Sequence, residues 1–265
     1  ICMISVNGEP IDFTQFPDGT TSFRYSPGLE ETFTIRWKYD GDHECILLWY
    51  LVHHLRRCDS RAEITLQLPY IPNARMDRVK AFDEVFTLKY FAEFINSLAF
   101  DIVSVRDPHS NVAAALIDNV YVLDSKHYID QAIEHCLSYD DNLLICYPDE
   151  GAAKRYTELL KREHVFCIKH RDWRTGNIEG LELTSPELVK GRNVLIVDDI
   201  CSRGGTFTHT AKALKKVGAK DIFLYVTHCE NTIEKGTILT DGLIKHVYTT
   251  GSIYRGNHEM VTVLL

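Results

Sequence analysis

The segment Asn193–Ala219, NVLIVDDICSRGGTFTHTAKALKKVGA, decides the fold of this chain. Four of its first five residues are apolar and predict a buried strand. The strand ends in two adjacent acids, Asp198 and Asp199, and a short loop with Gly204 and Gly205 follows. A helical pattern begins directly after the glycines. This order of strand, acid pair, glycine loop and helix is typical of the ligand-binding edge of an α/β sheet.

The same loop has the groups needed to hold a phosphate beside a sugar. The first N–H groups of a helix have no partner within the helix, and small residues let a ligand approach them. The hydroxyls of Ser202 and Thr206 add hydrogen-bonding groups, and Arg203 adds a positive charge. The two carboxylates suit sugar hydroxyls, or a magnesium ion bound through water. Phosphate and vicinal diol together describe a pentose 5-phosphate.

A plain turn between a strand and a helix is the alternative interpretation of this segment. Such a turn uses Asp and Gly for its backbone geometry alone. It does not account for the apolar strand, the acid pair, the glycines and the helix-opening threonine together. The absence of a G-K-[ST] sequence excludes a Walker phosphate loop.

Apolar strands and helical stretches alternate along both halves of the chain. The predicted strands are Glu63–Tyr70, Asp101–Val105, Asn142–Cys146, Val165–Ile168, Asn193–Val197 and Asp221–Thr227. The predicted helices are Glu44–Arg57, Thr87–Leu98, Ala152–Glu163 and a helix that ends near Val217, before Gly218. This alternation predicts right-handed βαβ units and parallel sheets covered on both faces.

Composition excludes several classes of protein. Of the 265 residues, 45% are apolar and 25% are charged, as in ordinary globular proteins. No apolar stretch approaches the roughly 20 residues of a membrane span. The net charge of −8 argues against a general nucleic-acid binder and leaves phosphorylated substrates open. Eight cysteines without a C-x-x-C pair, and no secretory signal, predict reduced thiols in a cytoplasmic protein.

The run Asp198–Thr206 resembles the phosphoribosyl diphosphate (PRPP) signature shared by type I phosphoribosyltransferases and ribose-phosphate pyrophosphokinases. Further segments resemble the pyrophosphokinase family alone, in the right order along the chain. These segments are Phe16–Gly19 (FPDG), Pro69–Lys80 (PYIPNARMDRVK), Asp107–Ser110 (DPHS), Pro148–Arg155 (PDEGAAKR) and Lys169–Arg171 (KHR). Val261–Leu265 is similar to the family's last strand.

The resemblance implies roles for individual residues. The implied ATP-binding residues are Phe16, Asp18, Arg75, Asp77 and His109, the first two reaching the nucleotide of a neighbouring subunit. The implied ribose 5-phosphate residues are Asp198, Asp199, Ser202, Arg203, Gly204, Gly205 and Thr206. The implied diphosphate loop is Asp149, Glu150 and Gly151, and the implied metal-side groups are His109 and Asp149. Lys169 and Arg171 are the implied catalytic cations, which stabilise charge on the transferred group.

Several positions depart from the family, among them Ala152, where it has a second Gly, and Arg203, where it has Thr; three more suggest an alternative function. Thr20 stands where the family has Glu, Met76 where it has Gln, and Ser202 where it has a third Asp. These changes motivate one alternative, a non-catalytic homologue. A type I phosphoribosyltransferase that uses PRPP as donor is another, and it leaves the segments around Arg75 and His109 without a role.

The leading prediction is a magnesium-dependent diphosphokinase that converts ATP and ribose 5-phosphate into PRPP and AMP. The resemblance implies two type I phosphoribosyltransferase-like α/β lobes, each with a central, mostly parallel sheet flanked by helices. We expect an ATP-side lobe over residues 1–130 and a ribose 5-phosphate lobe over residues 131–265. We also expect a homo-oligomer, either a dimer or a hexamer, and neither nucleic-acid nor membrane partners.

Overall fold

The computed structural model describes the chain in four stretches, residues 3–28, 30–139, 141–171 and 178–265. The chain divides into two units, Ile1–Asp124 and Ser125–Leu265. Each unit has its own sheet and its own apolar core. The assignment of ATP to the first unit and of ribose 5-phosphate to the second stays a prediction.

The first unit contains eight strands and three helices among its described residues. The strands are β1 (Ile4–Val6), β2 (Glu9–Pro10), β3 (Phe13–Gln15), β4 (Thr21–Phe23), β5 (Thr32–Trp37), β6 (Glu63–Leu68), β7 (Ile102–Arg106) and β8 (Val120–Leu123). The helices are α1 (His43–Cys58), α2 (Thr87–Ser97) and α3 (Asn111–Leu116). Six strands form one sheet in the order β2-β1-β5-β6-β7-β8, in which β5 to β8 run parallel. β1 is antiparallel to both of its neighbours.

Buried apolar residues at helical spacing hold α1 against this sheet. Leu48, Leu51 and Leu55 are fully buried, as the spacing of three and four residues predicts. Glu44 in the first turn of α1 is also buried, and its carboxylate accepts a hydrogen bond from the indole N–H of Trp37 at 2.8 Å. This bond fixes the start of α1 to the end of β5.

The second unit contains seven strands and three α-helices among its described residues. The strands are β9 (Leu143–Tyr147), β10 (His164–Arg171), β11 (Ile178–Leu183), β12 (Asn193–Cys201), β13 (Ile222–Cys229), β14 (His246–Thr250) and β15 (Val261–Leu264). The helices are α4 (Lys126–Leu137), α5 (Glu150–Leu160) and α6 (Gly205–Lys216). The sheet order is β11-β10-β9-β12-β13-β14-β15, and every pair is parallel except β10 with β11.

Helices cover both faces of the second sheet. Alternate residues of β12 point to opposite faces, so that Leu195 packs with α4 and α5 while Ile196 packs with α6. Full burial on both faces explains why the central strands are continuous apolar runs rather than alternating ones. The predicted fold class, two mostly parallel α/β lobes flanked by helices, is confirmed.

The sequence patterns located most central elements and missed the outer ones. The structure contains every strand and helix that the patterns predicted, with ends shifted by a few residues. β12 continues to Cys201 rather than ending at Val197, so the acid pair lies within the strand. The elements that were not predicted are the strands β1 to β5, β8, β11 and β14 and the helices α3 and α4. In the described part of the chain, no helix has both the length and the apolar character needed to cross a membrane.

Candidate functional site

The acid pair lies near the carboxyl end of β12, between the neighbouring strands β9 and β13. Asp199 is buried, and its Oδ2 lies 3.0 Å from Nη1 of Arg155 on α5. Asp198 is partly exposed, and its Oδ1 accepts a hydrogen bond from the backbone N–H of Asp199 at 2.9 Å. One acid therefore has an ionic partner, and the other is partly exposed.

Three carboxylates influence one another here. Burial raises the pKa of Asp198 well above its usual range, and the charges of Asp199 and Asp149 add to this effect. Among these acids, Asp199 has a cationic partner, the guanidinium of Arg155. A cation beside Asp198 would relieve this repulsion.

A fully protein-built metal cage is absent from the residues the structure describes. Mg²⁺ is commonly held by one or two carboxylates together with substrate phosphates, and it keeps several of its waters. Asp198 and Asp149 are close enough for their charges to interact. The carboxylate donor set therefore fits a hydrated magnesium ion that a phosphorylated substrate helps to hold.

The glycine loop exposes the start of α6. Gly204 precedes the helix with φ +81°, a conformation that favours glycine, and a Cβ there would lie 2.8 Å from the side chain of Ile238. Arg203, Gly205 and Thr206 are all exposed. The helix therefore presents its free N–H groups to solvent, as a phosphate site requires.

The segment after β13, residues 230–236, packs against this loop. Gly236 packs its bare α-carbon against the backbone carbonyl of Arg203, where a Cβ would overlap the oxygen. The hydroxyls of Ser202 and Thr232 are 3.0 Å apart, and that of Thr232 donates to Glu230 at 3.0 Å. The sequence analysis assigned no role to residues 230, 232 and 236, because their contacts depend on a turn of the chain that no local pattern reveals.

The predicted diphosphate loop forms the start of α5. Asp149 caps the helix by accepting a hydrogen bond from the N–H of Ala152 at 3.0 Å. Glu150 is exposed, and a Cβ at Gly151 would lie 3.2 Å from Oδ1 of Asp149. The same helix carries Arg155. The sequence analysis quoted Arg155 without a role, because its partner is 44 residues away in sequence and the two meet only in the folded unit.

The predicted catalytic cations lie on the outer hairpin of this unit. The backbone of β10 pairs with β11, with Lys169 opposite Leu181 and Arg171 opposite Ile178. The pairing shifts between His170 and Arg171. The side chains of Lys169 and Arg171 lie outside the described residues, so their roles stay predictions.

In the first unit, two predicted ATP loops leave the same edge of the sheet. Arg75 and Asp77 follow β6, and His109 follows β7. These strands are parallel neighbours, so their carboxyl ends lie side by side. Arg75 is exposed, whereas Met76 is partly buried and packs against the apolar core of the unit. The strand order thus brings Arg75 and His109 to one edge.

Phe16 and Asp18 lie on a separate hairpin. β3 and β4 form their own two-stranded sheet, so backbone pairing does not join them to the strands that carry Arg75 and His109. Phe16 is 55% exposed. Oδ1 of Asp18 accepts hydrogen bonds from Oγ1 of Thr20 at 2.6 Å and from its N–H at 2.9 Å, and these bonds lower the pKa of Asp18.

Comparison with known proteins agrees with this geometry. The phosphoribosyl transferase domain family matches residues 151–240, which lie in the second unit. A curated ribose-phosphate pyrophosphokinase of Methanobrevibacter smithii is 26% identical over 91% of this chain and 82% of its own length. Another, of Pyrococcus abyssi, is 29% identical over 85% of this chain and 79% of its own length.

A solved structure extends the agreement to the fold of the chain. The crystal structure of phosphoribosylpyrophosphate synthetase from Mycobacterium smegmatis matches with a TM-score of 0.78 at 20% sequence identity. The match covers 96% of this chain and 85% of that one. The predicted resemblance is confirmed: this chain is similar to ribose-phosphate pyrophosphokinases over most of its length.

Proposed function

We propose that this protein is a ribose-phosphate diphosphokinase, which transfers the diphosphoryl group of ATP to the 1-hydroxyl of ribose 5-phosphate. The products are PRPP and AMP. One observation carries the proposal: relatives named ribose-phosphate pyrophosphokinase match 85% or more of the chain, including the first unit. The phosphoribosyl transferase domain match is confined to residues 151–240. An enzyme that only used PRPP would leave the similarity of the first unit unexplained.

In this proposal the second unit binds the pentose. The N–H groups at the start of α6, with Gly204, Gly205 and Thr206, hold the 5-phosphate. Asp198 and Asp199 accept hydrogen bonds from the sugar hydroxyls. The ion pair of Asp199 with Arg155 supports this role, because it gives the buried carboxylate a cationic partner and fixes its orientation.

The first unit binds ATP in the same proposal. Arg75 contacts the phosphates, since a guanidinium can bind two oxygens at once, and Asp77 and His109 lie beside it in the loops after β6 and β7. Phe16 and Asp18 reach the nucleotide of a second copy of the chain. This shared site requires a homo-oligomer, either a dimer or a hexamer.

The reaction needs alignment and charge stabilisation rather than a covalent intermediate. The 1-hydroxyl oxygen of the pentose forms a bond with the β-phosphorus, the bond from that phosphorus to the α–β bridging oxygen breaks, and AMP leaves with this oxygen. The hydroxyl proton passes to solvent. Lys169 and Arg171 stabilise the charge that develops around the transferred group.

Magnesium completes the proposed site. In the second unit Asp149 and Asp198 would hold it through water, and in the first unit His109 is the candidate metal-side group. When bound, it neutralises phosphate charge and polarises the β-phosphoryl group. The diphosphate lies at the start of α5, along Asp149, Glu150 and Gly151, where backbone N–H groups receive it.

We also propose that the enzyme works in the cytoplasm. The seven cysteines among the described residues are all free. Reducing compartments keep thiols in this state.

The experiment is an incubation with ATP, ribose 5-phosphate and MgCl₂, followed by phosphorus NMR. We expect equal amounts of AMP and PRPP. In Lys169→Ala we expect turnover to fall by about 10²-fold or more, with the affinity for ATP changed far less. Unchanged turnover would remove Lys169 from the mechanism. Two bound ligands without any product would identify a non-catalytic homologue, and PRPP consumption with a nucleobase would identify a transferase.

A further inference from the structure

Three side chains behind the glycine loop form a hydrogen-bonded relay. Oγ1 of Thr232 donates to Oε2 of Glu230 at 3.0 Å, and Oγ of Ser202 lies 3.0 Å from the same Oγ1. The backbone N–H of Glu230 donates to the carbonyl of Cys201 at 2.8 Å. This last bond holds the segment after β13 directly against the end of β12.

The hydrogen bonds of the relay all run in one direction, from donor to acceptor, towards Glu230. A hydroxyl carries a single hydrogen, and an ionised carboxylate only accepts. Because Thr232 gives its hydrogen to Glu230, the hydrogen between the two hydroxyls comes from Ser202. Ser202 therefore has no hydrogen left for a ligand, and it presents only lone pairs.

This direction determines which part of the substrate can form a hydrogen bond with Ser202. The oxygens of a phosphate monoester above its second pKa of about 6 only accept hydrogen bonds, whereas sugar hydroxyls also donate. We propose that Glu230 and Thr232 are positioning residues, which hold Ser202 as the acceptor of a hydrogen bond from a sugar hydroxyl of the pentose phosphate. The proposal rests on the proposed function for the identity of that substrate.

The segment that carries the relay is anchored on its other side as well. Oδ1 of Asn231 accepts a hydrogen bond from the backbone N–H of Arg255 at 2.8 Å. The hydroxyl of Tyr254 donates to Oε1 of Glu234 at 3.2 Å. These bonds fix the segment independently of Ser202, so the relay sets the position of Ser202 and not the reverse.

The test compares two ligands that differ only in their ring hydroxyls. Ribose 5-phosphate is one, and tetrahydrofurfuryl phosphate is the other, since it keeps the ring and the phosphate but has no ring hydroxyl. Calorimetry measures both affinities in the presence of MgCl₂ and α,β-methylene ATP, whose α–β linkage cannot be cleaved. The variants are Ser202→Ala, Thr232→Val and Thr232→Ser. Thr240→Val is the matched control, because its exposed hydroxyl bonds only a carbonyl of its own turn among the contacts described.

We expect Ser202→Ala and Thr232→Val each to weaken ribose 5-phosphate binding about 5- to 10-fold, the effect of one hydrogen bond. Binding of tetrahydrofurfuryl phosphate should stay within about twofold of wild type in both. The double variant should bind no more weakly than either single one, because both changes break the same relay. Thr232→Ser should restore binding, and Thr240→Val should change nothing.

Equal weakening of both ligands would overturn the proposal, because Ser202 would then serve the phosphate. Unchanged binding in Thr232→Val, with thermal unfolding confirming a folded protein, would overturn it too. Failure of the proposed function has a different result: wild type would bind ribose 5-phosphate and release no PRPP with ATP, while the ligand difference among the variants persisted.

Discussion

The two units carry similar sheets, but they hold their functional residues in different ways. In the second unit, Asp199 is tied to Arg155 and the glycine loop is braced by the segment after β13. In the first unit, Arg75 is exposed in a loop and Phe16 lies at the tip of an isolated hairpin. The residues proposed for the pentose are thus held by contacts within their own unit, whereas Arg75 and Phe16 lie on exposed segments.

The departures from the family follow the same division. Ser202 in the second unit is engaged by a partner from another segment, Thr232. Thr20 and Met76 in the first unit are engaged locally, one by Asp18 in its own turn and the other by the apolar core. The comparison teaches that the departure in the second unit is engaged by a distant segment, whereas those in the first unit are engaged by their own turn or by the apolar core.

The largest expected effect on the binding of ribose 5-phosphate comes from Gly236→Ala. A Cβ at this position overlaps the backbone carbonyl of Arg203, so the glycine loop has to shift. We expect the affinity for ribose 5-phosphate to fall at least about 10-fold, and the free energy of unfolding by about 2 kcal/mol. ATP affinity should not change. The control is Gly28→Ala in the first unit, where a Cβ meets open space. Equal ribose 5-phosphate affinity in both variants would show that the loop is not braced.

The largest expected effect on stability comes from breaking the ion pair of Arg155 with Asp199. Arg155→Met leaves the buried carboxylate of Asp199 without its cation, and we expect a loss of about 3 kcal/mol in the free energy of unfolding of the second unit. Denaturant unfolding measures it. Lys126→Met is the matched control, since its pair with Asp130 is exposed and contributes about 0.5 kcal/mol or less. Similar losses in the two variants would contradict a buried, structurally important pair.

A smaller effect tests the first unit. Met76→Gln introduces the amide that the family has at this position, at the expense of apolar packing. We expect the KM for ATP to fall about threefold, as one weak hydrogen bond forms, and the free energy of unfolding to fall by about 1 kcal/mol. The KM for ribose 5-phosphate should stay constant. A KM for ATP that rises would show that Met76 already contributes to the nucleotide site.

The smallest effect concerns Asp18. The hydroxyl and the N–H of Thr20 lower the pKa of Asp18, and the hydroxyl is the larger cause. A lowered pKa adds stability that is present above the unfolded value of 3.8 and is lost as the pH falls through the folded pKa. Thr20→Val should raise this pKa towards 3.8, as followed by carbon NMR of the carboxyl group, and Thr20→Ser should not. An unchanged pKa in Thr20→Val would show that the hydroxyl has no such role.

The sequence predicted those parts of the fold whose local pattern is strong. The fully buried strands β9, β12 and β13 are continuous apolar runs, and α2 has apolar residues at helical spacing. β1 and β8 have only three and four residues, so their patterns are weak. The antiparallel pairing of β1 with β5 is a long-range choice that no local pattern reveals.

The residues of the candidate site also fall into two groups, those that the sequence located and those that it missed. The acid pair and the glycine loop form one continuous run, so the sequence located them directly. Arg155, Glu230 and Thr232 act through partners that are distant in sequence, and only the folded unit brings them to Asp199 and Ser202. Sequence reasoning therefore finds groups that share a loop and misses those that a second segment contributes.

The account's central claim is that a diphosphoryl group moves from ATP to a pentose phosphate. ATP with a radioactive β-phosphorus, incubated with ribose 5-phosphate and MgCl₂, tests it most directly. The account predicts that all the transferred label appears in PRPP, with one unlabelled AMP released for each PRPP formed. Label in ADP, or ATP that stays intact while ribose 5-phosphate is bound, would contradict it.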